Sequence, residues 1–140
     1  MGPFKSGWDE RDVEAVVAQN DPMEVLYVPI AVGMNADAFD RRWAEDICLS
    51  LSRHPHFNVR GNALLGLGHI ARVCGELDLE RVASLISEGL RDEHEFVRGH
   101  AEAAASDIEI YLGVKVPGYD GEHTKEIGMA IDRLRKQHGI

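Results

Sequence analysis

The stretch RHPHFNVRGNALLGLGHIARVCG, residues 53–75, returns 38 residues later as RDEHEFVRGHAEAAASDIEIYLG, residues 91–113. Eight of the 23 aligned positions are identical, whereas chance matching would give about one or two. The identical pairs are Arg53/Arg91, His56/His94, Val59/Val97, Arg60/Arg98, Gly61/Gly99, Ala63/Ala101, Ile70/Ile108 and Gly75/Gly113. Because a period of this length is typical of stacked helical pairs, we predict an all-α fold rather than a closed enzyme fold.

Each copy of the repeat contains one long helix that ends at a glycine. Apolar residues recur at helical spacing through Val59–Cys74 and through Val97–Leu112, and a glycine follows each segment as a natural C-terminal cap. A shorter helix precedes each long one, with Asp37 as the expected N-cap of the first and Asp78 as that of the second. The two core repeats are therefore predicted at about 39–75 and 78–113.

The segments on either side of the repeats are also predicted to be helical. Asp9–Gln19 has valines at helical spacing, and Met23–Met34 is read as a helix interrupted at Pro29, with a strand as the alternative. Residues 123–138 form an amphipathic segment through Ile127–Leu134. Since a stack of repeats leaves an apolar face open at each end, we expect this last segment to be a C-terminal cap.

The repeated core resembles the HEAT repeat family, in which a turn acid precedes a helix that opens with Val-Arg and an alanine three residues after the Arg. The second copy matches through Asp92 and Val97-Arg98-Gly99-His100-Ala101, and the first through Val59-Arg60-Gly61-Asn62-Ala63. The resemblance covers about Phe39–Leu112. It implies a short α-solenoid of about two to three helical hairpins with terminal capping helices, and a polar ladder between the turn acid and the Arg of neighbouring units.

Two features of the core depart from that pattern or add to it. His54 stands in the first unit where Asp92 stands in the second, so the turn acid of the family pattern is absent from the first unit. Because an arginine near a helix start is poorly placed for the helix dipole, its recurrence suggests fixed hydrogen bonds from its guanidinium. Gly61 and Gly99 recur in an early helical turn, and we expect them to allow close packing between the two helices of each pair.

Size and composition indicate one soluble domain over residues 1–140. The apolar fraction is 44% and the charged fraction 28%, both ordinary for a globular protein. Cys48 and Cys74 lie in apolar helical stripes without a CxxC spacing, so we expect free thiols and no structural zinc. The longest apolar run, Val25–Met34, is too short for a membrane span, and the N-terminus does not have the form of a secretory signal. We therefore expect a cytoplasmic protein.

The net charge of −9 is carried by the body of the chain. Residues 1–58 and 59–112 each contain ten acids and five bases, whereas residues 113–140 contain four acids and five bases. Nucleic-acid binding normally needs a concentrated basic face, and this sequence has none. An acidic surface attracts basic proteins instead, so the expected partner is a basic protein and not a nucleic acid or a membrane.

The histidines provide the only suggestion of catalysis, and it is weak. His69 aligns with Asp107 across the repeat, so the two could be neighbours and form an acid–base pair. No nucleophile or third group accompanies them. His56 and His94 are expected to be exposed turn residues rather than metal ligands. The sequence therefore predicts no cofactor, no metal and no catalytic residue, with an enzyme using His69 and Asp107 as the less favoured alternative.

The preferred interpretation is a non-enzymatic protein-interaction module. Helical stacks usually bind macromolecules on a curved face lined by the second helix of each pair. One form of this function is an immunity protein that neutralises a basic toxin; the alternative is an adaptor or scaffold subunit of a larger assembly, joined through Val25–Met34. The candidate partner-binding residues are Asn62, Leu65, His69, Arg72, His100, Glu102 and Asp107.

Overall fold

The computed structural model describes residues 8–138, and within that range the chain is all-helical, as predicted. The first seven residues, where the expectation about a secretory signal falls, lie outside it. The helices are α1 (Glu10–Gln19), α2 (Pro22–Val25), α3 (Val28–Met34), α4 (Arg41–Leu51), α5 (Phe57–Cys74), α6 (Leu79–Gly89), α7 (Glu95–Leu112) and α8 (Glu122–His138), with a 3-10 turn at Ala36–Ala38. None of the helices described is long and apolar enough to cross a bilayer.

The sequence repeat is also a repeat of structure. Helix α6 begins and ends 38 residues after α4, and α7 begins and ends 38 residues after α5. Both long helices end at a glycine in the left-handed region, Gly75 with φ of 65° and Gly113 with φ of 69°. A side chain would be strained in that conformation, so the two glycines stop the helices at equivalent positions.

The helix starts differ from the sequence expectation by two or three residues. Asp40, and not Asp37, is the N-cap of α4, where its carboxylate accepts the backbone N–H of Arg42. Helices α5 and α7 begin two residues before the predicted valines. The reason is that His56 and His94 act as the N-caps, a role that sequence patterns assign to smaller polar residues.

The segment Met23–Met34 is an interrupted helix, as predicted, and not a strand. Asp21 caps α2, and its carboxylate accepts the backbone N–H of Met23. The interruption falls at Leu26 and Tyr27, and Pro29 then lies in the first turn of α3, where a missing N–H costs nothing. The proline therefore helps to start the second piece instead of kinking one continuous helix.

Helix α5 lies at the centre of the molecule, between α3 and α7, and runs parallel to α7. Glycines allow the three helices to approach closely. A Cβ built on Gly66 would collide with the carbonyl oxygen of Pro29 in α3, and one built on Gly68 would lie 2.8 Å from the Cα of Ala104 in α7. The expectation that Gly61 faces its own hairpin partner is wrong, because a Cβ there would lie 2.7 Å from the ring of Phe96 in α7.

The core follows from this arrangement. Apart from Glu45 of α4, the large side chains that are essentially inaccessible to solvent are apolar and come from α1, α2, α3, α5, α6 and α7. They are Val13, Val25, Val28, Val32, Val59, Leu67, Ile70, Val82, Ile86, Val97 and Ile108. Each leucine or isoleucine buried in this way contributes about 1.5–3 kcal/mol relative to an exposed one.

The predicted C-terminal cap is not formed by the apolar side of α8. Ala130, Ile131 and Leu134 are exposed, and the side chain of Ile127 lies outside the described residues. The loop before α8 covers the core instead. Its Val116 is 1% exposed and its Tyr119 5% exposed, and the backbone is anchored where the Ser87 hydroxyl donates to the Pro117 carbonyl at 2.6 Å.

We expect Gly66→Ala to destabilise the protein and Gly99→Ala, the matched control, to leave it unchanged or slightly more stable. A methyl group at Gly66 forces α3 away from α5, which should cost about 1–3 kcal/mol or more. A Cβ at Gly99 meets nothing within 4 Å, and alanine is favoured over glycine in a helix by about 1 kcal/mol. Urea unfolding of the two variants measures the difference, and equal stabilities would contradict the close approach.

Candidate functional site

A cleft of about 280 Å³ opens between the start of α3, the first turns of α5 and the first turns of α7. Four of its residues are apolar or aromatic and three are polar without a formal negative charge. They are Leu26, Tyr27, Ile30, Asn58, Asn62, Phe96 and His100. A concave surface with apolar walls and a few directed polar groups is the usual form of a binding site.

The break between α2 and α3 shapes one wall of the cleft. Because the helix is interrupted, the carbonyl of Leu26 is available, and the Asn62 amide donates to it at 2.8 Å. Asn62 is only 4% exposed, so this hydrogen bond is shielded from water and fixes the break against α5. The same geometry leaves Tyr27 at the rim, where it is 54% exposed.

Packed aromatic rings form the opposite wall. The His100 imidazole lies against the Phe96 ring with centroids 4.1 Å apart, and Phe96 in turn meets Phe57 edge-on at 5.8 Å. Burial lowers the pKa of His100 below the usual histidine value. His100 is therefore neutral at pH 7, and the cleft has neither a cationic nor an anionic wall.

The structure brings together only part of the predicted face. Asn62 and His100 line the cleft, and Leu65 and His69 are half-buried farther along α5. Arg72 is exposed, and its guanidinium lies 3.3 Å from the Nδ1 of His69.

Placing Glu102 on this face was wrong. Two residues correspond to a rotation of about 200° around a helix, so Glu102 points away from the side that carries His100. Glu102 is exposed there.

The environment of His69 does not support an acid–base pair with Asp107. The pKa of His69 is lowered, first by burial and then by the positive charge of Arg72 and the neighbouring His100 imidazole. A carboxylate that oriented the imidazole would raise that pKa. The Asp107 carboxylate lies against α5 at Gly68, where a Cβ would be 3.0 Å from its Oδ2.

His56 and His94 are structural caps and not exposed turn residues. The Nδ1 of His56 accepts the backbone N–H of Asn58 at 3.3 Å, and the Nδ1 of His94 accepts that of Phe96 at 3.2 Å. Both imidazoles are half-buried, and the Phe57 ring lies between them, 5.4 Å from His56 and 3.6 Å from His94. An Nδ1 that accepts a hydrogen bond cannot carry a proton, so each cap requires the neutral tautomer protonated on Nε2.

A polar ladder joins the two units, and it begins in the first one. The Arg60 guanidinium binds the Asp92 carboxylate through Nε at 2.9 Å and Nη2 at 3.0 Å, and its Nη1 donates to the carbonyl of His54 at 3.1 Å. The Asp92 carboxylate also accepts the N–H of His94. In the first unit, His54 replaces that acceptor, because its Nδ1 accepts the N–H of His56 while its Nε2 bonds Asn20.

Sequence reasoning missed most of the cleft. Phe96 precedes the recognised Val-Arg pair by one residue, and its aromatic character was the available signal. Tyr27 and Leu26 could not be placed because their position depends on where the helix is interrupted. Only Asn62 and His100 came from the repeat itself, as aligned polar residues on one helical face.

The chain matches no protein-family model, and neither a curated protein nor a solved structure matches it. Among residues 8–138 there is also no group of three or more histidine, cysteine or acidic side chains arranged to hold a metal ion. Cys48 and Cys74 are free thiols, as predicted, and burial raises the pKa of both. The interpretation of the cleft therefore depends on its own geometry.

Replacing Arg60 should cost more than replacing its repeat equivalent, Arg98. The Arg60→Ala change removes a two-pronged ion pair and leaves Asp92, 16% exposed, without its main partner. We expect a loss of about 2–3 kcal/mol, since hydrogen bonds to charged groups contribute about 1.5–3 kcal/mol. Arg98 donates to the Asp92 carbonyl, and Arg98→Ala should cost about 1 kcal/mol. Chemical denaturation gives both values, and an equal loss would contradict a ladder between the units.

Acidification should destabilise the fold before the carboxylates titrate. The pKa values of His54, His69 and His100 are lowered in the folded chain, in each case first by burial. Their contribution to stability is therefore complete above the unfolded value of about 6.5 and is lost as pH falls through the lower folded values. We expect the free energy of unfolding to fall as the pH is lowered from 7 to 5, and urea unfolding measures this change. A flat profile, or His54→Gln with an unchanged slope, would contradict this account.

Proposed function

We propose that this chain is a HEAT-like module that binds a protein partner and does no chemistry. In this proposal, α1 with α2–α3, α4 with α5, and α6 with α7 are three successive hairpins of a short α-solenoid. The face formed by α3, α5 and α7 is the binding face. The observation that carries the proposal is the cleft, which crosses all three of these helices.

The cleft and its surroundings have the properties of a protein-binding hot spot. Tyr27 stands at the rim, and two exposed methionines belong to the same segment, Met23 at 75% and Met34 at 52% exposed. Tyrosine anchors commonly contribute most of the binding energy of an interface, and methionine adapts to irregular partner surfaces. The buried Asn62 and the contact between the Phe96 and His100 rings hold the cleft in shape before a partner arrives, which lowers the entropic cost of binding.

Charge supports a basic partner. The chain has a net charge of −9, while the residues lining the cleft carry none at pH 7. The acidic surroundings would accelerate encounter with a basic protein, and the uncharged cleft would then hold an apolar or aromatic side chain of that protein. An immunity protein that occludes a basic toxin is one function of this form.

In the adaptor alternative, fewer residues of Val25–Met34 are available for contact with a larger assembly than the apolar sequence suggested. Val25, Val28 and Val32 are buried in the core of this chain, so they are not available to a larger assembly. Tyr27 and Met34 remain exposed. An adaptor role would therefore use the same face as the proposed module, and the two readings differ in the identity of the partner and not in the surface.

The test compares two tyrosines of similar exposure. Tyr27 is 54% exposed at the cleft, and Tyr111 is 49% exposed near the other end of α7. With the tagged chain as bait in its native lysate, we expect wild type and Tyr111→Ala to retain one basic protein stoichiometrically. Tyr27→Ala should weaken its binding by about 10- to 100-fold in titration calorimetry, since loss of an interface anchor costs about 1.4–3 kcal/mol.

The salt dependence gives a second readout on the same complex. Electrostatic steering predicts an association rate that falls as ionic strength rises, while the dissociation rate changes little. A partner held equally by Tyr27→Ala, or bound weakly and without salt dependence, would overturn the assignment of the cleft.

A further inference from the structure

A second concave site, a cavity of about 550 Å³, opens between the turn that precedes α5 and the turn that precedes α7. Its floor is apolar and consists of Leu64 and Val97, which are 2% and 0% exposed, together with Leu85. Leu64 faces this cavity from α5, two residues after Asn62, which faces the cleft. Two residues correspond to a rotation of about 200° around a helix, so the cavity and the cleft lie on opposite sides of α5.

The cavity has an excess of negative charge. Three acidic and two basic side chains line it: Glu88, Asp92, Glu93, Arg53 and Arg60. His54 also lines it but has no charge, because its Nδ1 accepts the backbone N–H of His56. Two other bases nearby in the chain, Arg91 and Arg98, are not among the lining residues. The cavity therefore attracts a cation more strongly than an anion.

Arg60 is not available to hold an anion in this cavity. Its Nε and Nη2 bind the two carboxylate oxygens of Asp92 at 2.9 and 3.0 Å. Its Nη1 donates to the carbonyls of His54 and Pro55 at 3.1 and 3.2 Å. All three nitrogens are engaged within the chain, and the charge of Arg60 is matched by that of Asp92. The charges that remain are those of Arg53 and of two glutamates, Glu88 and Glu93.

Arg53 shows which chemical group these glutamates can bind. Its guanidinium lies 3.2 Å from the Glu88 carboxylate, and the two side chains are 68% and 51% exposed. An ion pair so exposed contributes little to stability, so a guanidinium from outside could replace that of Arg53 at small cost. Glu93 is exposed as well, and it forms no hydrogen bond or ion pair with any of the described side chains. The pKa of Arg60 is raised mainly by its hydrogen bonds to Asp92, and the charge of Glu93 is the smallest contribution to that shift.

We propose that this cavity binds an arginine side chain of another polypeptide. The alkyl stem lies on the apolar floor and the guanidinium reaches Glu88 and Glu93, since long basic side chains bury their stems and keep their charged ends near water. A guanidinium is favoured over an ammonium, because it is more weakly hydrated and its planar fork matches a carboxylate with two hydrogen bonds.

The charge of the cavity also favours an arginine within a chain over the free amino acid. Free arginine would add its own carboxylate to a cavity in which carboxylates already outnumber guanidiniums. In a polypeptide that carboxylate is an uncharged amide. Because the cavity and the cleft share no lining residue, this inference goes beyond the proposed function and does not depend on the cleft.

The experiment follows the backbone amide signals of the full chain by nuclear magnetic resonance while N-acetyl-arginine amide is added. Saturable shifts should appear at residues that line the cavity and not at those that line the cleft. N-acetyl-citrulline amide has the same shape without the charge and should bind at least about 10-fold more weakly. Free arginine should bind about 3-fold or more weakly than the blocked form, and inorganic phosphate should cause no saturable shift there.

Three variants test the charges with the same blocked arginine. Arg53→Ala removes the internal guanidinium that competes for Glu88 and should strengthen binding by about 2- to 5-fold. Glu93→Gln should weaken binding by about 3- to 10-fold. Glu80→Gln is the matched control, because it removes the same charge from an exposed glutamate of α6 that does not line the cavity. It should change the dissociation constant by less than about 2-fold, since distant exposed charges are screened by salt.

Several outcomes would overturn the proposal. Blocked arginine that gives no saturable shift, or gives it at the cleft, would do so. Equal binding of the citrulline and arginine probes, tighter binding of free arginine, or phosphate bound in the cavity would also contradict it. So would Arg53→Ala that fails to strengthen binding, or Glu93→Gln that behaves like Glu80→Gln. Far-ultraviolet circular dichroism confirms that each variant keeps its helices.

Discussion

The close approach of α3 and α7 to α5 is the constraint on which the rest of the structure depends. Gly66 brings the backbone of α3 against one side of α5, and Gly68 brings α7 against the other. Helices packed in this way leave little room for side chains between them, so each backbone position is fixed by its neighbours. The cleft inherits that rigidity, because Tyr27, Asn62 and Phe96 each come from a different one of the three packed segments.

Polar groups then fix the register that the glycines permit. The Asn62 amide holds the Leu26 carbonyl, and the Arg60 guanidinium holds Asp92 of the following unit. Both arginine and asparagine are directional partners, and their bonds are shielded from water, where an unmade hydrogen bond is costly. A shift of one helix by a single residue would break these bonds and leave buried polar groups unsatisfied. Glycine contacts therefore set the distance between helices, and these side chains set their alignment.

The repeat predicted the helices well and the site poorly, for a physical reason. Period and helix caps are local properties, so α5, α7 and the glycines that end them could be read from the sequence. His56 and His94 were recognised as a repeated pair, but their capping role depends on a tautomer and on the Phe57 ring between them. The cleft needs three segments in space, and the position of Tyr27 depends on the break in the α2–α3 segment. No periodicity specifies where that break falls.

The two copies of the repeat also differ where their surroundings differ. On α5, the Phe57 ring stacks on the His94 ring, and the Leu64 side chain packs against Gly89. Both of these apolar residues therefore face the following repeat unit. The equivalent positions on α7 are Glu95 and Glu102, and both are exposed. Burying these glutamates against another helix would cost far more free energy than burying the equivalent apolar residues of α5 contributes. The side of α7 that carries Glu95 and Glu102 is therefore suited to water or to a basic surface, whereas the side that carries His100 is suited to an uncharged one.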